Sequence, residues 1–292
     1  MRLALRSELR LVEMALACLC MLTPAVAIAQ EPVEPDRPDV TNGTHIVDIG
    51  LLQVEIGGLY THAGPRQHAF GSPVTARAGL TDWLEARVGT DGVLTQSDGL
   101  SHVIGMGNVQ LGCKLRLWAD PGGAPVLSLL PTINLPAASA AKSLGSGSAD
   151  YTVALLTGRD LGRHGHVDVN YGIGSIGSGE SEPHFIQHLV SISTSAAVSD
   201  NWNPYVEAFW FSRQDPAGPA VAAVDAGAIY ELGARYAVDG GVQIGVSRTA
   251  PALAAFGGLS IVVGDILGAH GVHARQRKAQ GRMGRRAPAS SH

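Results

Sequence analysis

From Asn108 to Leu117 apolar and polar side chains alternate without a break: Val109, Leu111, Cys113, Leu115 and Leu117 against Asn108, Gln110, Gly112, Lys114 and Arg116. A period of two sustained over ten residues predicts a strand with one apolar and one polar face. Ten residues is also about the length a tilted strand needs to cross a bilayer, whereas soluble strands average about five or six. The pattern recurs. Leu52, Val54, Ile56 and Tyr60 alternate with Gln53, Glu55, Gly57 and Thr61, and Leu84, Ala86 and Val88 with Glu85, Arg87 and Gly89. Val167, Val169, Tyr171 and Ile173 oppose Asp168, Asn170, Gly172 and Gly174, and Val238, Val242, Ile244 and Val246 oppose Asp239, Gly241, Gln243 and Ser247. About twelve such segments fit between Gly50 and Gly264.

The connections alternate too. Short ones are expected at 81–82, 120–123, 159–165, 199–201 and 232–234; longer polar ones at 94–103, 137–149, 178–183 and 215–219. Short periplasmic turns facing longer outer loops are the mark of a membrane barrel, while a Greek-key sandwich has no reason to alternate this way. Trp83, Trp118, Trp202, Tyr205, Tyr230 and Tyr236 all fall beside short turns and predict an interfacial girdle. The fold class expected is all-β: an antiparallel up-and-down transmembrane β-barrel of about 12 strands. The Ala-rich stretch 222–228 lacks clean alternation and is the weakest of the expected strands.

The ends place the protein outside the cytoplasm. Arg2, Arg6 and Arg10 precede an apolar run from Met14 to Ala29 that ends in Ala27-Ile28-Ala29, the layout of a secretory signal peptide with cleavage near Ala29. No later stretch is long and apolar enough for a spanning helix, and a chain that sits in lipid without one must close into a barrel. Of the three cysteines, Cys18 and Cys20 lie in the signal, which leaves Cys113 with no partner for a disulfide or a thiolate zinc site. The expected division is a signal at 1–29, a periplasmic N-terminal segment at 30–44, an outer-membrane barrel at 45–264 and a basic tail at 265–292.

Charge narrows the function. The formal net charge of −4 combines an acidic body with a tail that carries Arg275, Arg277, Lys278, Arg282, Arg285 and Arg286 and no acid. An acidic body argues against a nucleic-acid partner. In a membrane barrel the polar strand faces point into the lumen. The expected lumen lining, and candidate solute path, is Glu55, Arg77, Glu85, Arg87, Lys114, Arg116, Asp168 and Glu207, with Glu231 and Asp239 beside them. Acids and bases in a narrow barrel pair across strands, and a paired wall can leave a path along the other side. The segment from Asp36 to Thr41 is a candidate plug that reaches inward to Arg87 or Lys114.

Catalytic patterns are thin. His188 shares a strand with Ser191 and Ser193, but odd spacing puts both serines on the opposite face. His164 and His166 flank a turn, where two histidines could touch a metal but mostly do not. Gly172–Gly177 matches G-x-G-x-x-G with no helix to follow, so nothing holds a phosphate. No catalytic residue, cofactor or metal is expected, and the chain is not read as an enzyme.

Several motifs together resemble a family of Gram-negative outer-membrane proteins named for the meta pathway of phenol degradation and labelled simply transporters. They are Asp36-Arg37-Pro38-Asp39-Val40-Thr41 with Leu52-Gln53-Val54-Glu55, Gly79-Leu80-Thr81-Asp82-Trp83-Leu84-Glu85-Ala86-Arg87-Val88-Gly89, and Gly107-Asn108-Val109-Gln110-Leu111-Gly112-Cys113-Lys114. Pro131–Pro136, Tyr205-Val206-Glu207 and Gly257-Gly258-Leu259-Ser260 continue the likeness over nearly all of the chain after the signal. The resemblance implies an outer-membrane channel or transporter for small, including aromatic, solutes. Its expected partners are outer-membrane lipid, the outer-membrane assembly machinery and the solute itself. A closed barrel that binds through its loops without transport is the alternative. The sequence departs from the family at its end, where Ile261–Gly264 runs into the basic tail rather than stopping on an aromatic residue.

Overall fold

The structure is a computed structural model that describes residues 33–37, 40–119, 125–179 and 182–268. The expected signal peptide with its cleavage site, and nearly all of the basic tail, lie outside the described residues. One antiparallel sheet holds fifteen strand segments: β1 (Leu51–Gly64), β2 (Gln67–Gly71), β3 (Val74–Gly79), β4 (Leu84–Thr90), β5 (Val93–Ser97), β6 (His102–Met106), β7 (Val109–Trp118), β8 (Val126–Leu135), β9 (Asp150–Leu161), β10 (Gly165–Ile176), β11 (Phe185–Ala196), β12 (Trp202–Phe211), β13 (Val221–Glu231), β14 (Tyr236–Gly245) and β15 (Leu253–Asp265). The pairs β2/β3, β4/β5 and β6/β7 are each two halves of one stave, so the barrel has twelve staves. β1 pairs with β15 from Leu51↔Asp265 to His62↔Leu253, which closes the sheet and leaves no edge along the wall.

Two of the three breaks have local causes. Pro73 has no N–H to give to the ladder, and Gly92 sits at φ +68, where a side chain would be strained. Irregular bonds bridge the gaps: Ser72 N–H to Val93 O, Asp91 N–H to Asn108 O and Gly107 N–H to Gly92 O. The predicted loop at 94–103 is mostly strand. Alternation carries β5 and β6 through it, leaving a tight turn in which Asp98 Oδ1 accepts the N–H of Leu100 (2.8 Å) and Ser101 (2.7 Å).

Register sorts the side chains as the alternation predicts. Leu111, Val169, Tyr171, Ile192, Val206 and Val242 are exposed on the outer wall, which is apolar and faces lipid. Gln53, Glu55, Arg77, Glu85, Lys114, Ser128, Asn170, Ser191, Glu207 and Ser260 are buried on the inner wall. Burying ionic groups while exposing Leu and Val inverts a soluble protein and suits a bilayer. The Ala-rich β13 follows the same rule with small residues, Ala223 and Asp225 inward and Val224 outward. Trp83, Trp118, Trp202 and Tyr236 are exposed at the short-turn end, and Tyr230 packs on Trp202 with ring centroids 5.2 Å apart. Tyr205 departs from the expected girdle. It lies one register position off, so it points inward and is buried over Gly227.

The described residues before β1 lie within the barrel. Residues 33–37 and 40–47 run through the lumen near the short-turn end, and Val33 and Val47 pack with Leu51, Ala237 and Val262 of the wall. None of the described helices is long and apolar enough to cross a membrane, so the strands make the crossing.

Candidate functional site

The inner wall of β3, β4 and β7 is an ionic cluster created by register. Glu85 faces Lys114 across β4 and β7, while Arg77 faces Arg87 directly across β3 and β4. Like charges opposite one another are unfavourable, so an anion between them is needed. Glu85 supplies part of it: Oε1 accepts from Arg77 Nε at 2.9 Å and Oε2 from Nη2 at 3.0 Å. Glu55 on β1 accepts from Arg77 Nη1 at 2.8 Å. Arg77, Lys114 and Glu85 have no exposed surface and Glu55 almost none.

The remaining charge comes from the N-terminal segment. Asp36 Oδ2 lies 2.7 Å from Lys114 Nζ, 2.9 Å from Arg87 Nη2 and 3.5 Å from Arg77 Nη2. The wall alone presents three cations and two carboxylates here; Asp36 makes the numbers equal. Burial works against its charged form, but Arg77, Lys114 and Arg87 outweigh it and hold the carboxyl well below the usual carboxylate range. The predicted inward reach of Asp36 to Arg87 or Lys114 therefore meets both.

Backbone bonds seat the rest of the segment. Glu55 accepts the N–H of Asp36 (3.3 Å) and Arg37 (3.2 Å), and Glu85 accepts that of Val47 (2.9 Å). On the far wall Glu207 accepts the N–H of Val40 at 2.9 Å and both the N–H and the hydroxyl of Thr41. Lys114 Nζ donates to the carbonyls of Gly43 (2.7 Å) and His45 (3.0 Å), and Asn170 to that of Asn42 (3.1 Å). An extended segment with no ladder of its own must satisfy its peptide groups somewhere, and here charged wall residues do it.

Glycines make the room. Gly57 and Gly258 face each other on β1 and β15, and the Arg37 guanidinium lies on them, reaching the carbonyl of Gly257 at 3.2 Å and Asp239 Oδ1 at 3.5 Å. A Cβ on Gly57 would stand 2.1 Å from that guanidinium, and one on Gly79 the same distance from the Val47 carbonyl. His45 is enclosed beside the cluster. Burial, then Arg77 and Lys114, push its imidazole down to about 4. Glu34 Oε2 is 3.1 Å away but largely exposed, and so does little to reverse this.

Of the eight residues expected to line the lumen, all face inward, but they do not form one group. Glu55, Arg77, Glu85, Arg87 and Lys114 share the cluster, and Glu207 holds the segment from across the lumen. Arg116 and Asp168 stand apart near the short-turn end, where Arg116 donates to the Asp82 carbonyl (3.3 Å) and Asp168 meets His166 Nε2 (3.2 Å). The partners that sequence missed are Gln53, Ser128, His45 and Thr44. An inward register was the only signal for Gln53 and Ser128, while Thr44 and His45 belong to the segment itself and carry no strand pattern.

Two spaces remain on either side of the segment. One of about 320 Å³ opens toward the long loops, with Asn42 and Arg87 at its floor and Gln110, Thr132, Leu130, Leu189 and Phe211 among its walls. The other, about 460 Å³, lies toward the short turns and includes Arg116, His166, Asp168, Tyr205 and Glu231. The expected mismatch of His188 and the serines holds: His188 faces out, bonded to the Tyr171 hydroxyl (2.9 Å), while Ser191 and Ser193 are buried on the inner face.

Comparison with known proteins agrees with this architecture. An outer membrane channel from Pseudomonas putida superposes with a TM-score of 0.60 at 12% identity, over 79% of this chain and 99% of that one. The NanC porin superposes with a TM-score of 0.53 at 10% identity, over 71% and 98%. At such identity the likeness speaks for the fold. No curated protein sequence matches the chain. A family profile described as the MetA-pathway of phenol degradation matches residues 35–262, from the lumen segment to the last strand. The chain is an outer-membrane β-barrel and belongs to that family.

Proposed function

We propose that the protein is an outer-membrane channel for small solutes, aromatic ones among them, closed at rest by residues 33–37 and 40–47. The observation that carries this reading is the pair of lumen spaces on either side of that segment, which lines both. Their sizes fall in or near the range of small-molecule pockets, about 300–1,000 Å³. Movement of the segment would join them. The path would then be walled by Glu55, Arg77, Glu85, Arg87, Lys114, Arg116, Asp168 and Glu207. Leu130, Leu189 and Phe211 give the outer space an apolar side that favours an aromatic ring over a sugar, and the family's description points to the same solute class.

The density of ionic anchors under the segment supports a second reading, a barrel that stays closed and acts through its loops. Uptake by proteoliposomes separates the two. Channel activity requires faster entry of a phenol-sized aromatic into vesicles holding folded protein than into empty vesicles. Equal rates, together with no ion current from folded protein in a planar bilayer, would leave only the closed barrel.

A further inference from the structure

His62 on β1 and His68 on β2 are direct cross-strand partners beside the 65–66 turn, on the outward face at the long-loop end. Their Nδ1 atoms are 3.2 Å apart and their ring centroids 5.0 Å apart. The Tyr60 hydroxyl lies 2.7 Å from His68 Nδ1. Tyr60 Oη and His62 Nδ1 therefore both lie within bonding reach of the same His68 nitrogen. Two imidazole nitrogens this close share either a hydrogen or a cation between their lone pairs.

The two distances are those of two rings aimed at one shared ion. With an imidazole nitrogen about 1.15 Å from its ring centroid and a metal–nitrogen bond of about 2.0–2.1 Å, one shared ion requires centroid and nitrogen separations in a ratio of about 1.55. Separations of 5.0 and 3.2 Å stand in that ratio. Two rings aimed straight at each other through a hydrogen bond would have centroids about 5.5 Å apart at the same nitrogen spacing. The nitrogen–metal–nitrogen angle that follows is roughly 100–106°, close to tetrahedral.

We propose that His62 and His68 form a transition-metal site for a cation that favours imidazole, Zn²⁺, Cu²⁺ or Ni²⁺. Tyr60 Oη is near enough to act as a third donor, and solvent reaches the outward face to complete the set. The site would fasten the β1–β2 hairpin where it projects at the outer rim. His102 stands on the same face, in the same row across Ser97. Two strand spacings put it roughly 10 Å from His68, too far to share the ion, which makes it the internal control. No group of three or more His, Cys, Asp or Glu among the described residues is arranged to hold a metal, so the site rests on these two imidazoles.

The test uses the full mature chain, folded in detergent without a polyhistidine tag and checked by heat-modifiable migration. Cu²⁺ is titrated and followed by electron paramagnetic resonance, and Zn²⁺ by calorimetry. One site with two-nitrogen hyperfine structure is expected. His62→Gln and His68→Gln should each weaken it by about tenfold or more, while His102→Gln and His166→Gln leave it unchanged. Wild-type protein that binds neither metal at micromolar concentration overturns the proposal. So does wild-type affinity in the folded His62→Gln/His68→Gln double variant.

Discussion

Replacing Asp36 with Asn keeps the shape of the side chain and removes one charge. In the native lumen Asp36 Oδ2 meets Lys114, Arg87 and Arg77 at 2.7, 2.9 and 3.5 Å. The substitution leaves three cations against Glu55 and Glu85, with Arg77 and Lys114 still out of reach of solvent. Removing one partner from a buried ionic group costs about 3–5 kcal/mol, because the stranded charge stays desolvated. Release of the segment is the way out, since it hydrates Lys114 and Arg87. At about 1.4 kcal/mol per factor of ten, the docking equilibrium falls by two to four powers of ten. The surviving anchors at Glu55, Glu85 and Glu207 limit the fall to the lower part of that range. Single-channel recording reads the result: the folded Asp36→Asn protein should spend a larger fraction of time conducting than wild type. If folded Asp36→Asn protein conducts no more than wild type, while protein lacking residues 33–48 conducts freely, the ionic seat does not hold the segment and the reasoning fails.

Acid should act in the same direction. His45 is held neutral in the docked state with its imidazole near 4, and regains an ordinary value near 6.5 when released. The released form therefore binds the extra proton, and docking is strongest above about pH 6.5 and weakens as pH falls toward 4. Conductance should rise over that window, and His45→Gln should flatten the rise; an unchanged profile would exclude His45 as its source. A Val at Gly57 cannot coexist with Arg37, whose guanidinium lies where the new Cβ would stand, so a protease that cuts before aspartate should cleave folded Gly57→Val protein at Asp36 faster than wild type. Leu111→Lys puts a charge on the lipid face at about mid-strand and should lower stability in denaturant titrations from liposomes by about 2–4 kcal/mol. An effect under about 0.5 kcal/mol would mean that this face is not in lipid. Proteoliposomes of Phe211→Ser protein should lose preference for phenol over a sugar of equal size; a retained preference would remove the apolar wall as its cause.

The barrel was legible because its rule is local. A side chain two residues on returns to the same face, so Val109–Leu117 and Val238–Val246 declare their strands without knowledge of neighbours. Where the rule weakens, so did the reading. Tyr205 stands beside a turn like the other aromatics, and only its register position, on the face of Glu207, turns it inward. The stretch 94–103 looked like a loop because Asp98-Gly99 marks a turn, yet the strands on both sides run almost to it. The identity of the lumen residues followed from alternation, but their grouping did not. Arg77 opposite Arg87, Lys114 opposite Glu85 and Asp36 among them depend on which strands pair and in what register. Those pairings join residues far apart in the chain. Asp36 to Thr41 could be suspected as a plug from its charges, but the extent of the segment to Val47 rested on peptide groups bonded to the wall, which no side-chain pattern displays. The two histidines beside the 65–66 turn were silent in sequence, since their approach depends on the hairpin's register.

The most direct test compares the chain from Gln30 onward with a form also lacking residues 33–48, both reconstituted in liposomes and both confirmed as folded by heat-modifiable migration. A segment that closes a solute channel should make uptake of a phenol-sized aromatic and of small ions slow in the intact protein and much faster in the shortened one. Equal and rapid uptake by both would show that the segment does not close the lumen, and equal and negligible uptake would show that this barrel is not a channel.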